Sequence, residues 1–84
     1  PDKLEVILSL ANGFPLVRLL DGTGDVAREL KCRLIDVPVG FRCHTALAGL
    51  EDDQYTLRVE IDLLNGKPAA VVESQVALAS APGQ

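Results

Sequence analysis

The chain contains few aromatic, sulfur-containing or histidine residues. It contains no methionine and no tryptophan, one tyrosine, two phenylalanines, two cysteines and one histidine in 84 residues. A four-ligand structural zinc site is therefore out of reach. The longest uncharged stretch, residues 6–17, is interrupted by Asn12, Gly13 and Pro15, and it falls short of the ~18–20 apolar residues of a membrane span. We expect no metal, no cofactor and no membrane span.

The charge balance is acidic. Twelve acidic and eight basic side chains give a net charge of −4 and a pI near 4.7, which disfavours nucleic-acid binding because that function needs a cationic footprint. A hydrophobic content of 48% with 24% charged residues is ordinary for a soluble globular domain. We predict one domain over residues 1–78 and a flexible tail or linker at 79–84. Secretion or the cell surface is favoured over the cytoplasm, and the oligomeric state stays open.

Two Asn-Gly pairs, at residues 12–13 and 65–66, are each flanked by apolar residues. This pattern is typical of β-hairpins, because a type I′ turn needs positive φ at both central positions. The first pair predicts a hairpin between residues 4–10 and 16–20. In that register two apolar pairs face each other: Val6 opposite Leu19, and Leu8 opposite Val17.

The second pair predicts a hairpin between residues 55–63 and 68–78, and here three independent signals agree. Apolar residues alternate along the first strand, the turn residues fit, and one register matches both faces. On the inner face, Val59 lies opposite Val72 and Tyr55 opposite Val76. On the outer face the same register pairs Arg58 with Glu73, an attractive cross-strand pair.

Residues 25–36 are ambiguous. A helix would place Val26, Ala27, Leu30 and Leu34 on one stripe, whereas a strand would direct Leu30, Cys32 and Leu34 inward. We predict an all-β antiparallel sandwich in which residues 25–36 form either a strand or one short helix. The alternative is an α+β β-grasp fold, similar to ubiquitin, with an N-terminal hairpin followed by a helix from Asp25.

Residues 50–59, LEDDQYTLRV, resemble the "L-x-D-G-x-Y-x-L-x-V" entry to the penultimate strand of bacterial immunoglobulin-like and fibronectin type III-like modules. The resemblance extends over residues 40–78 and departs from the pattern at Asp53, where glycine is usual. It implies an immunoglobulin-like sandwich in which the Tyr55 ring joins the core and its hydroxyl caps the turn backbone. It also implies a structural or binding module, because such modules seldom carry catalytic residues.

The cationic residues near the two cysteines form the one surface feature that points to binding. If residues 29–35 and 40–46 pair around a turn at 37–38, three pairs face each other: Cys32 with Cys43, Arg33 with Arg42, and Lys31 with His44. Like charges that face each other cost stability, so a protein that keeps them can use them to bind an anion. In the competing interpretation, which we favour at this point, these residues lie on a helix and a strand and never converge. Cys32 and Cys43 form either a disulfide or two buried free thiols.

No catalytic constellation is visible. His44 is the only histidine, and its neighbours Cys43 and Thr45 point to the opposite face of a strand. The acidic cluster at 51–53 and the Gly-Thr-Gly segment at 22–24 are interpreted as solvated turns. We therefore expect no enzyme, but an accessory or interaction module that binds a protein or carbohydrate through loops or a strand edge. Alternatives are a small secreted inhibitor or effector, and a non-catalytic subunit of a larger enzyme assembly.

Overall fold

A computed structural model describes residues 3–10, 13–36, 39–62 and 70–78, and every regular element in them is a β-strand. Along the chain these strands are β1 (Lys3–Ser9), β2 (Phe14–Leu20), β3 (Val26–Glu29), β4 (Lys31–Asp36), β5 (Val39–Ala46), β6 (Asp53–Asp62) and β7 (Ala70–Leu78). No helix in the described part of the chain is long and apolar enough to cross a membrane.

The strands form two antiparallel sheets that enclose one core. The three-stranded sheet has the order β1-β5-β4, and the four-stranded sheet has the order β3-β2-β6-β7. Phe41 and Cys43 reach the core from the first sheet, while Val17, Leu19, Tyr55 and Val59 reach it from the second. The all-β sandwich predicted from the sequence is thus the fold of the chain.

The C-terminal hairpin is confirmed in the predicted register. In β6 and β7, Val59 lies opposite Val72, Tyr55 opposite Val76 and Arg58 opposite Glu73. The second Asn-Gly turn lies outside the described residues, as do the tail at 79–84 and the turn at 37–38.

The predicted N-terminal hairpin is wrong. β1 pairs with β5 in the other sheet, so Val6 lies opposite Cys43 and Leu8 opposite Phe41. β2 pairs instead with β3 and β6. Gly13 does have the positive φ, +102°, that the turn chemistry requires. Gly13 lies between β1 and β2, which belong to different sheets. Glycine is needed there because a Cβ would lie 2.6 Å from the backbone oxygen of Asp62.

The possible helix at 25–36 is also wrong, and the β-grasp alternative fails with it. Residues 26–29 and 31–36 form two short strands that belong to different sheets. Leu30 is the crossing point: its side chain is buried in the core, and its N–H donates to the Val17 carbonyl at 2.9 Å. Crossing from one sheet to the other at a single buried residue produced the spacing that imitates a helical stripe.

Candidate binding face

The outer face of the three-stranded sheet brings together the four residues proposed from the sequence for binding. In the β4–β5 ladder Lys31 lies opposite His44 and Arg33 opposite Arg42, in the predicted register. Residues directly opposite each other share a face. Because Cys43 is fully buried, its neighbours His44 and Arg42 lie on the solvent side. The interpretation that these residues never converge is therefore wrong, and we call Lys31, Arg33, Arg42 and His44 the cationic face.

β1 extends this face on its other side. Glu5 lies opposite His44, and Ile7 lies opposite Arg42. Lys3, on the same face of β1, lies 3.9 Å from the Glu5 carboxylate. With His44 counted as neutral, the described residues on this side of the sheet carry four positive charges and one carboxylate, Glu5, a net charge of +3 on a chain whose total charge is −4. The positive charges belong to Lys3, Lys31, Arg33 and Arg42.

The guanidinium groups of the cationic face lack acidic partners. Within residues 3–10, 13–36, 39–62 and 70–78, no carboxylate lies at ion-pair distance from Lys31, Arg33 or Arg42. The Nε atom of Arg42 is buried and has no hydrogen-bond partner. A buried donor without a partner costs about 1–3 kcal/mol, so the Nε–H of Arg42 is a polar group that the described part of the fold leaves unsatisfied.

The four-stranded sheet carries a second arginine pair that is neutralised. Arg18 lies opposite Arg58, and each forms ion pairs with glutamates. Arg58 contacts Glu73 at 2.7 Å and Glu60 at 3.5 Å. Arg18 contacts Glu60 at 3.8 Å and Glu29 at 3.6 Å. The hydrogen bond that Arg58 donates to the Glu73 carboxylate raises the pKa of Arg58. Among the described residues, carboxylates thus neutralise one cross-strand arginine pair and lie at ion-pair distance from neither member of the other.

A disulfide lies beneath the cationic face. Cys32 and Cys43 are bonded to each other across β4 and β5, and no described cysteine is free. Their Cα atoms are 4.0 Å apart, and Cys43 is fully buried while Cys32 packs at the border of the core. Since Cys43 is bonded, it offers no thiol beside His44.

One end of the cationic face opens into a shallow groove of about 540 Å³. Lys31 and His44 line it together with Lys3, Glu29, Thr45 and Ala46. Lys3 and Glu29 are additions that sequence reasoning missed. Lys3 was missed because the predicted hairpin paired β1 with β2, whereas β1 lies beside β5. Glu29 enters because β3 ends next to the crossing at Leu30.

The Gly-Thr-Gly segment at 22–24 belongs to a loop whose polar groups are hydrogen-bonded within the loop. The Asp21 carboxylate accepts bonds from the Thr23 N–H at 2.9 Å, the Thr23 hydroxyl at 2.6 Å and the Asp25 N–H at 3.0 Å. These bonds, the hydroxyl bond first, lower the pKa of Asp21. Arg28 donates to the carbonyls of Ala27 and Ala48. It therefore joins β3 to the loop between β5 and β6 and is not part of the cationic face.

The acidic turn at 51–53 is anchored by the tyrosine that the resemblance singled out. The Tyr55 ring is buried in the core, and its hydroxyl donates to the Glu51 carbonyl at 2.8 Å. The Asp53 carboxylate accepts a bond from the Gln54 N–H at 2.7 Å. Among the described residues, no group of three or more histidine, cysteine, aspartate or glutamate side chains could hold a metal ion.

No family model, curated protein or solved structure matches this chain.

Proposed function

We propose that this chain is a non-catalytic interaction module whose cationic face binds an anionic partner. The observation that carries the proposal is the contrast between the two arginine pairs. Arg18 and Arg58 are surrounded by three glutamates, whereas Arg33 and Arg42 face each other with no carboxylate at ion-pair distance in the described chain. Like charges opposite each other destabilise a sheet, and an external carboxylate, sulfate or phosphate would relieve that repulsion.

The strand order supports an immunoglobulin-like module. In that fold, strands B, E and D share one sheet, and strands C′, C, F and G share the other. Labelling β1 to β7 as B, C, C′, D, E, F and G gives the same two orders. Tyr55 then stands near the start of strand F, and its bond to the Glu51 carbonyl has the form of a tyrosine corner. The chain departs from antibody domains in its disulfide, which joins two strands of one sheet.

The disulfide favours a secreted or cell-surface setting, because such bonds persist in oxidising compartments. A small secreted effector is therefore the second candidate, and it would use the same face. In both cases the chain acts by binding, and the acidic partner is a protein or an anionic glycan.

The test is a titration of the intact protein with two anionic probes, a short polyglutamate peptide and a sulfated oligosaccharide, followed by NMR of the backbone amides. We expect the amides around Arg33 and Arg42 to shift with at least one probe and to shift less as salt is added. Arg33→Gln should weaken that binding about fivefold, since one exposed charge-assisted contact is worth about 1 kcal/mol.

Arg18→Gln is the matched control, because it removes the same charge from the neutralised arginine pair. It should leave binding unchanged. Equal weakening by both variants would show that only net charge matters, and the absence of binding to either probe would refute the proposal.

A further inference from the structure

β4 is an outer strand of the three-stranded sheet. No described strand pairs with its other edge, which we call the free edge, and that edge has a defined hydrogen-bonding pattern. In an antiparallel ladder, closely spaced pairs with Cα atoms near ~4.5 Å do not exchange hydrogen bonds, and the intervening pairs do. Cys32 and Cys43, with Cα atoms 4.0 Å apart, are a closely spaced pair. The backbone groups of Lys31 and Arg33 therefore bond to β5. Those of Cys32 and Leu34 point out of the sheet, toward the free edge.

The side chains along β4 also alternate in chemistry. Lys31 and Arg33 belong to the cationic face. Cys32 and Leu34 belong to the core side, where Leu34 lies opposite the buried Phe41. Leu34 is nevertheless 65% exposed, so the described part of the other sheet does not cover it. Phe14, whose ring contacts Phe41 with centroids 6.2 Å apart, is also 59% exposed.

We propose that β4 accepts an added strand from an acidic partner peptide in which acidic and apolar residues alternate. This inference rests on the proposed function and specifies its binding mode. The peptide backbone bonds to Cys32 and Leu34, in the manner of β-strand addition. Its acidic residues face Lys31 and Arg33 at the closely spaced positions, where cross-strand side chains lie nearest to each other. Its apolar residues pack beside Leu34.

The positive charges of Lys31 and Arg33 disfavour pairing of β4 with a second copy of the chain. Pairing β4 with β4 of a second copy would bring Lys31 and Arg33 against the same residues of that copy, and cationic residues on an edge strand prevent such self-association. An acidic strand meets no such repulsion. The free edge of β4 therefore favours an acidic strand over a cationic one, and the backbone N–H and C=O groups of Cys32 and Leu34 are directed toward that strand.

The decisive experiment uses a short peptide alternating glutamate and valine, with a peptide of the same composition in block order as its control. Affinity is measured by fluorescence anisotropy, and amide exchange is measured by hydrogen–deuterium exchange on the oxidised protein. We expect the alternating peptide to bind about tenfold more tightly than the block peptide. We also expect slower exchange at the Leu34 amide, which becomes hydrogen-bonded in the complex.

Leu34→Pro removes an N–H that points to solvent, which a strand edge tolerates, and leaves the cationic face intact. It should weaken the alternating peptide about tenfold or more, while Leu34→Ala, which keeps the N–H, weakens it by a smaller factor. Circular dichroism of both variants verifies the fold. If Leu34→Pro unfolds the protein, protection of the Leu34 amide in the unaltered protein decides alone.

The outcomes separate the two proposals. Equal binding of the alternating and block peptides, or no protection of the Leu34 amide, overturns strand addition. If the sulfated oligosaccharide or block peptide still binds and Arg33→Gln weakens it, the cationic face remains the binding surface without an added strand. If no anionic probe binds, both proposals fall.

Discussion

Removing the Cys32–Cys43 disulfide should destabilise this domain strongly. The bond joins residues 11 positions apart, and closing a loop of that length removes chain entropy equivalent to about 2.8 kcal/mol from the unfolded state. The global stability of an 84-residue domain is roughly 4–13 kcal/mol, so the loss is a large fraction of the total. Reduction should lower the melting temperature by about 11–22 °C.

The measurement is thermal unfolding followed by circular dichroism, with and without a strong reductant, and mass spectrometry to verify the thiol state. The control is a Cys32→Ala/Cys43→Ala variant, which should melt at the same temperature with or without reductant. An additional loss from the small cavity beside Val6, which lies opposite Cys43, is expected in this variant. A shift of less than about 4 °C on complete reduction, equivalent to ~1 kcal/mol or less, would refute the loop-entropy argument.

Two further substitutions test the packing of the sandwich by urea unfolding. Tyr55→Phe keeps the buried ring but removes the bond to the Glu51 carbonyl, so we expect a loss of about 0.5–1.5 kcal/mol, and an unchanged midpoint would contradict the role given to this hydroxyl. Gly40→Ala would drive a Cβ into the carbonyl oxygen of Leu8 and to 3.1 Å from the Leu10 nitrogen. Because this obstacle is backbone, we expect a loss of about 1–3 kcal/mol, and wild-type stability would show that β1 does not lie this close to β5.

The C-terminal hairpin was predictable from the sequence because several local signals converged on one register. Alternation along β6, the Arg58–Glu73 pair and the turn residues each specified the same pairing, and a slip by one residue would have exposed Val59 and Tyr55. The strength of the prediction came from the outer face, because the ion pair fixed which residues had to be opposite.

The N-terminal pairing was not predictable in the same way. Alternation of Leu4, Val6 and Leu8 specifies which face of β1 is buried, but it is silent about which strand lies alongside. β5 offers Phe41 and Cys43 to the same apolar face, and the sequence gives no outer-face pair that would favour β2 over β5. The Asn-Gly signal was also satisfied in part, since Gly13 does adopt a positive φ.

The ambiguity at 25–36 has a physical origin in the change of sheet at Leu30. Ala27, Leu30 and Leu34 are spaced by three and four residues, which is the spacing of a helical stripe. Within each strand the period is two, but the crossing residue joins two strands whose buried faces belong to different sheets. Leu30 is buried in the core, but Leu34, another member of the helical stripe, is largely exposed, so the stripe does not form one continuous buried surface.

The position of the disulfide explains how the sheet tolerates an unneutralised arginine pair. Cys32 and Cys43 lie between the Lys31–His44 pair and the Arg33–Arg42 pair along the same two strands. Repulsion of about 0.2–1 kcal/mol between Arg33 and Arg42 acts to separate β4 from β5, and the covalent bond at the adjacent Cys32–Cys43 pair opposes that separation. The four-stranded sheet has no disulfide among its described residues, and there the arginine pair is held by glutamates. A covalent restraint in place of carboxylates keeps the two strands together, and under the proposed function it leaves the positive charge of Arg33 and Arg42 for an anionic partner.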